Sequence, residues 1–270
     1  MRNTADRDGA PTNLGGSRRP GGVRSAVRTL SVLSVFIKAP EMSLEAISLE
    51  AGLPKSTAHR LLSTLVETGY VETGSQTGSY RLGVRTAVIG SVAIRSRRPK
   101  EDVHRVLEKL RVETDETIGL SVLHQRSVVV LDKVDSLHPL RFDLGVGASA
   151  PAHATSSGKV LLAELSDAEL DRLYRGHPLP KFTPNTSGSL PDLKTRLEQV
   201  RQQGYSVDDE ELFHGLRCVS VAVRDAEEQA EFALAVSAPA ARFSLDRAQS
   251  LVGLLRRAAG DIMAATNLTR

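Results

Sequence analysis

The 270-residue chain predicts an α+β protein: a winged helix-turn-helix followed by a larger mixed domain. Three observations carry that prediction. Between Ser43 and Gly83, two helical periods and a Gly- and Ser-rich hairpin pattern follow one another at helix-turn-helix spacing. Beyond residue 116, β-branched runs are interleaved with amphipathic helical segments. Between these parts, Arg98-Pro99 interrupts a helical pattern, because proline brings no backbone donor and crowds the preceding turn.

Taken in order, residues 1–22 carry Leu14 as their one large aliphatic side chain beyond Met1, among Gly, Pro and charges. So little apolar surface cannot offset the entropy of ordering, and a disordered basic tail is expected. Leu30 to Ile37 is apolar but short, broken by Ser31 and Ser34, and suits a first core helix better than a signal or a span. Ser43 is placed to cap a short helix that turns Leu44 and Ile47 inward and stops at Gly52. From Pro54 a second helix repeats Ala58, Leu61, Leu62, Leu65 and Val66 on one stripe. The same period turns Ser56, Arg60, Ser63 and Glu67 outward, with Thr57 and His59 on the flanks. Gly69 to Glu72, a turn over Thr73 to Gly78, and Ser79 to Leu82 complete a wing.

Gly83 to Arg98 reads as a helix with a seam of Val84, Ala87, Val88, Ser91 and Val92, and a further helix carries Val103, Val106, Leu107 and Leu110. Strands are expected over 117–124, 127–135, 139–144, 216–223 and 232–237, and helices over 157–165, 167–174, 190–203 and 244–266. The resulting division is 1–22 tail, 23–82 winged helix-turn-helix, 83–98 linker helix and 99–270 second domain.

The outward face of the Pro54 helix carries chemistry suited to a major groove. Arg60 can give two parallel hydrogen bonds to a guanine edge, and Ser56, Thr57 and His59 reach bases or phosphates. Lys55 and Arg81 suit phosphate. Residues 1–98 hold 14 Lys and Arg against 7 Asp and Glu, and the remainder 21 against 25. The positive field therefore lies with the helix-turn-helix, as attraction to duplex DNA requires. Aromatic content of 4% without tryptophan argues against the stacking platforms that single-stranded nucleic acid needs.

One cysteine excludes an intrachain disulfide and a Cys-rich zinc module. No two histidines stand at helical ligand spacing. No metal, no cofactor, no membrane contact and a cytoplasmic location are expected.

In the second domain, alternation puts Cys218, Ser220 and Ala222 on one strand face and Ala233, Ala235 and Ser237 on another, with Val and Leu partners opposite. If the two strands pair, the small side chains either leave room for a ligand or let a helix pack closely. His153 to Leu162 opens a helix with small residues, and its free N–H groups favour either a carboxylate or plain capping by Thr155 or Ser156. Asp208 to Glu211 is an acidic run that is either solvated, turn-capping or ligand-binding through Asp208. Cys218 with His214 nearby raises a thiol enzyme or a redox sensor as alternatives, although no oxyanion-hole pattern or orienting group accompanies them.

These segments resemble the isocitrate lyase regulator (IclR) family of bacterial transcription factors over residues 24–267. The resemblance lies in GLPKSTAHRLLSTLVETGYVE with YRLG, then HATSSGKVLLA, then GYSVDDEELFHGLRCVSVAVRD followed by ALAVSAP. It implies a non-enzymatic regulator with a dimerising linker helix, a C-terminal effector-binding domain similar to the GAF fold, and homodimers or homotetramers on double-stranded operator DNA. It also implies a pocket for a small organic acid or aromatic effector lined by Ser156, Ser157, Asp208, Cys218, Ala235 and Ser237. At Ala235 the chain offers a methyl where similar keto-acid binders offer a hydroxyl, which implies a larger or less polar ligand.

Overall fold

The computed structural model describes residues 23–97, 101–142, 144–225 and 227–267. The expected tail and the Arg98-Pro99 break lie outside these. The chain divides into two compact units, with the division between Ser91 and Val92.

The first unit runs α1 (Arg24–Val35), β1 (Glu41–Ser43), α2 (Leu44–Glu50), α3 (Lys55–Glu67), β2 (Val71–Thr73) and β3 (Ser79–Leu82), and leads into α4 (Val84–Arg97). The Ser43 hydroxyl accepts the Ala46 N–H and so caps α2. Gly52 ends the turn at φ +61°, a left-handed conformation that suits a residue without Cβ. Val32, Val35, Phe36, Ile47, Leu62, Leu65 and Val71 form one core. The α3 stripe is narrower than its periodicity suggests. Ala58, Leu62 and Leu65 are buried, Leu61 is half-buried and Val66 is 36% exposed, because no further layer covers that edge.

The wing has a third strand that the sequence reading missed. β1 pairs with β3, which pairs with β2, all antiparallel. Glu41 on β1 binds the wing turn: its carboxylate accepts from the Ser75 and Ser79 hydroxyls and from the Gln76 N–H at 3.1 Å. Those donors hold its pKa down at about 2. The expected α4 seam forms a helix, but Val84, Val88 and Val92 are all more than half exposed.

The second unit continues with α5 (Glu101–Thr114), β4 (Thr117–His124), β5 (Ser127–Val134), β6 (Ser149–Pro151), α6 (Ser156–Leu162), α7 (Asp167–Tyr174), α8 (Leu190–Gln203), β7 (Ser206–Asp209), β8 (Leu216–Arg224), β9 (Ala230–Pro239), α9 (Leu245–Ser250) and α10 (Val252–Asn267). Its strands form one antiparallel sheet in the order β6-β5-β4-β9-β8-β7. One face packs Val219, Val221, Val223, Leu234 and Val236 against Leu107 and Leu110 of α5 and Leu255 and Ile262 of α10. The other face meets α6, α7 and α8 through Val160, Leu162, Leu170, Leu193 and Leu197.

Two sequence expectations are corrected. No strand forms among the described residues of 139–144: Pro139 has no donor, and Arg242 holds the Leu140 carbonyl at 2.9 Å, so β6 pairs with β5 instead. The helix expected over 244–266 is interrupted at Leu251, whose N–H reaches back three residues to Ala248 while Ser250 takes the Arg247 carbonyl. Of the readings left open for the acidic run, solvation does not hold for Asp208 and Glu211, which are 1% and 2% exposed. Strand β7, which ends in the first two residues of that run, is too short for its alternation to stand out.

Candidate functional site

Two sites emerge, one in each unit. In the first, α3 presents Lys55, Ser56, His59 and Arg60 on one exposed surface, with Thr57 half-buried beside Ala58. No ion pair engages Arg60 among the described residues, so its guanidinium is open to an external acceptor. Lys55 instead reaches Glu45 at 2.7 Å, and Arg81 reaches Glu72 at 3.2 Å. Both pairs are solvent-exposed, and exposed pairs contribute at most about 1 kcal/mol, so exchanging the carboxylate for a DNA phosphate costs little.

The second site is a cavity of about 620 Å³, counting its mouth. Antiparallel partners share a sheet face, and the register assembles the cavity floor row by row. Asp208 on β7 stands opposite Cys218 on β8, Cys218 opposite Ser237 on β9, and Ser237 opposite Thr117 on β4. The next row runs Ser220, Ala235, Gly119 and Lys133 from β8 to β5. All six residues expected around a ligand, Ser156, Ser157, Asp208, Cys218, Ala235 and Ser237, border this one cavity. Sequence reading missed Thr117, Gly119, Ser121 and Lys133 on the floor and the apolar wall of Val128, Val130, Phe142, Leu144, Leu212 and Leu216.

The small-residue face packs closely at one end and borders open space at the other. At one end Ala222 and Ala233 lie in the core formed with α6 and its neighbours. In the middle the Ser156 and Ser157 hydroxyls lie 2.7 and 3.2 Å from that of Ser220. At the other end Cys218, Ala235 and Ser237 border open space. The start of α6 is capped in the plain way, with Thr155 accepting the Gly158 N–H at 3.1 Å.

Asp208 caps the turn, its carboxylate accepting the Glu211 N–H at 2.7 Å, and it also borders the cavity. Burial pushes its pKa up to about 7 against the pull of Lys159 and of that hydrogen bond. Behind it, buried Lys159 donates to the Val207 carbonyl at 2.8 Å and to the Glu211 carboxylate, joining α6 to β7 and to the turn that follows it. Burial also pushes the Cys218 thiol far up. His214 is exposed on the loop before β8. A reactive cysteine needs an accessible, electropositive setting that favours thiolate, and Cys218 has the reverse.

Comparison with known proteins covers both units. Residues 25–75 match the family profile described as IclR helix-turn-helix domain, and residues 92–264 match that described as bacterial transcriptional regulator IclR C-terminal. The chain is similar to the acetate operon repressor of Salmonella typhimurium, with 34% identity over 253 residues, 93% of this chain and 92% of that one. It is also similar to the transcriptional repressor IclR of Escherichia coli, with 33% identity over 248 residues, 91% and 90% of the two chains. Among solved structures, an IclR homologue from Microbacterium hydrocarbonoxydans complexed with 4-hydroxybenzoate aligns with a TM-score of 0.71 at 26% identity, over 91% of this chain and 100% of that one.

Proposed function

The chain belongs to the IclR family of bacterial transcriptional regulators, as a DNA-binding protein with an effector-binding C-terminal domain and not an enzyme, and on that premise we propose how it works. Residues 23–82 read operator DNA, 83–98 link, and 99–270 bind a small organic acid or aromatic metabolite whose occupancy changes operator affinity. The observation that carries the ligand half of this reading is the convergence of Ser156, Ser157, Asp208, Cys218, Ala235 and Ser237 on one cavity. Occupancy of the related Microbacterium protein by 4-hydroxybenzoate supports an effector of aromatic-acid size. Ala235 supports it too, since a methyl there leaves space and withholds a hydroxyl.

On the DNA side the reading assigns base contacts to Ser56, Thr57, His59 and Arg60 and phosphate contacts to Lys55 and Arg81. One recognition helix covers too few base pairs for a specific site, so the binding species is a homodimer or homotetramer on a roughly palindromic duplex. The exposed Val84, Val88 and Val92 seam of α4 supports self-association. Among the described residues no helix is long and apolar enough to cross a membrane.

Titration against a labelled duplex from upstream of the chain's own gene tests this. Arg60→Ala is expected to cost about 1–3 kcal/mol on the specific duplex and little on scrambled sequence. Lys55→Ala is expected to weaken both and lower the salt slope by about 1. An Arg60→Ala protein of unchanged selectivity would remove α3 from the reading surface.

A further inference from the structure

A carboxylate holds the wing turn in one shape. Glu41 on β1 stands directly across from Arg81 on β3, where an ion pair could form along the ladder. Its carboxylate turns instead to the wing turn and accepts from the Ser75 hydroxyl, with its two oxygens at 2.9 and 3.1 Å, from the Gln76 N–H at 3.1 Å and from the Ser79 hydroxyl. Arg81 pairs with Glu72 on β2. Gly74 makes room for this arrangement, because a Cβ there would overlap both the Glu41 carboxylate and the Ser79 hydroxyl. The Gly74 N–H then reaches the Ser79 carbonyl at 2.8 Å, and the Ser79 N–H reaches the Gln76 carbonyl at 3.0 Å.

Gln76 is thereby pinned on both sides of its backbone, its N–H by Glu41 and its carbonyl by Ser79. Its side chain is exposed in the turn, and among the described residues no hydrogen bond engages its amide. The wing follows α3 directly, with Val71 of β2 packed in one core with Leu62 and Leu65 of α3. The major groove has width for a single helix, so with α3 seated there a hairpin turn beside it meets the backbone or the adjacent minor groove. That groove offers acceptors throughout and adds the guanine amino group as a donor. A primary amide answers both, since it donates and accepts. A turn fixed before binding also loses little conformational freedom when it docks.

We propose that Gln76 is a specificity-determining residue of the DNA interface, reading the minor groove beside the bases met by α3, and that Glu41 is the positioning residue that presents it. The inference rests on the reading of residues 23–82 as the operator-reading unit. Glu41 touches no DNA in this arrangement and acts through the turn alone.

The test uses the full chain and the same upstream duplex as the Arg60 titration, with inosine replacing guanine or diaminopurine replacing adenine at one base pair at a time. These exchanges remove or add the minor-groove amino group and leave the major-groove edge as it was. Wild-type affinity is expected to change about fivefold at one or more pairs outside those read by α3. Gln76→Ala is expected to flatten that response while the Arg60-dependent preference over scrambled sequence persists. Glu41→Ala is expected to flatten it as well, with Gln76 still in place, and Gly74→Ala to do the same, because the added Cβ displaces the carboxylate. Should Glu41→Ala melt the N-terminal unit, Glu41→Gln keeps the shape with a weaker acceptor and is expected to lose part of the response. A wild type indifferent to the amino group at every pair, or a response kept in Gln76→Ala, overturns the role of Gln76. A response kept in full in folded Glu41→Ala, or in Glu41→Gln, overturns the positioning role of Glu41. Where Arg60→Ala still loses selectivity, the operator-reading assignment stands and this inference alone falls; where Arg60→Ala keeps it, both fall together.

Discussion

Lys159→Met is expected to destabilise the C-terminal domain by about 3–5 kcal/mol, because it strands the buried Glu211 carboxylate. Glu211 is 2% exposed and one of its oxygens already lacks a hydrogen-bond partner. Arg196 stands 3.6 Å from the other oxygen and offers partial relief, which favours the lower part of that range. The paired change Lys159→Met/Glu211→Leu removes both charges and is expected to cost much less than the single one, since apolar replacement of a whole buried pair is often neutral. Urea unfolding followed on the C-terminal transition measures both. If the single and double variants lose equal stability, Lys159 contributes packing and not charge pairing. Asp208, bound to the same turn, adds a pH signature. Its folded-state pKa is raised, so its contribution favours folding below its ordinary range and is lost as pH rises toward about 7.

Ser237→Leu is expected to abolish the response to effector while leaving operator binding intact. The leucine would project from β9 into the cavity between Cys218 and Thr117, its cross-strand neighbours. Overpacking costs about 1–3 kcal/mol, so the thermal transition needs to be recorded beside the binding data. Cys218→Leu is expected to behave alike, whereas Cys218→Ser is expected to keep the response, because a buried thiol with its pKa pushed far up acts through size and weak hydrogen bonding. Loss of the response in a folded, DNA-binding Cys218→Ser protein would instead favour redox sensing. A fully responsive Ser237→Leu protein would place the ligand elsewhere.

What the sequence could and could not reveal follows from how far each signal reaches. Helices with clear periods were legible to the residue: 167–174 and 190–203 are α7 and α8, with Ser166 and Ser189 as caps. The two strands that share small residues were legible as well, and the register pairs Cys218 with Ser237 and Ser220 with Ala235. Short edge strands were not. β1, β6 and β7 have three or four residues each, too few for an alternation to register, and β1 exists through a partner 36 to 40 residues away. Lys133 was hidden for a related reason, because the bulge that turns it inward belongs to the pairing of β4 with β5 and leaves no mark on the β5 sequence itself. The burial of Asp208 and Glu211 was hidden too: an acidic run reads as solvated until a buried lysine 48 to 52 residues away in the chain closes over it.

The central claim is that occupancy of the cavity and affinity for DNA are coupled, and linkage requires such coupling to be reciprocal. The most direct measurement is therefore a closed cycle on one preparation: operator affinity with and without the tightest-binding carboxylate, and carboxylate affinity with and without operator. The account predicts the same factor on both sides, in the range of about 5–150, and its disappearance in Ser237→Leu. A carboxylate that fills the cavity of the wild-type protein and leaves operator affinity unchanged would contradict it.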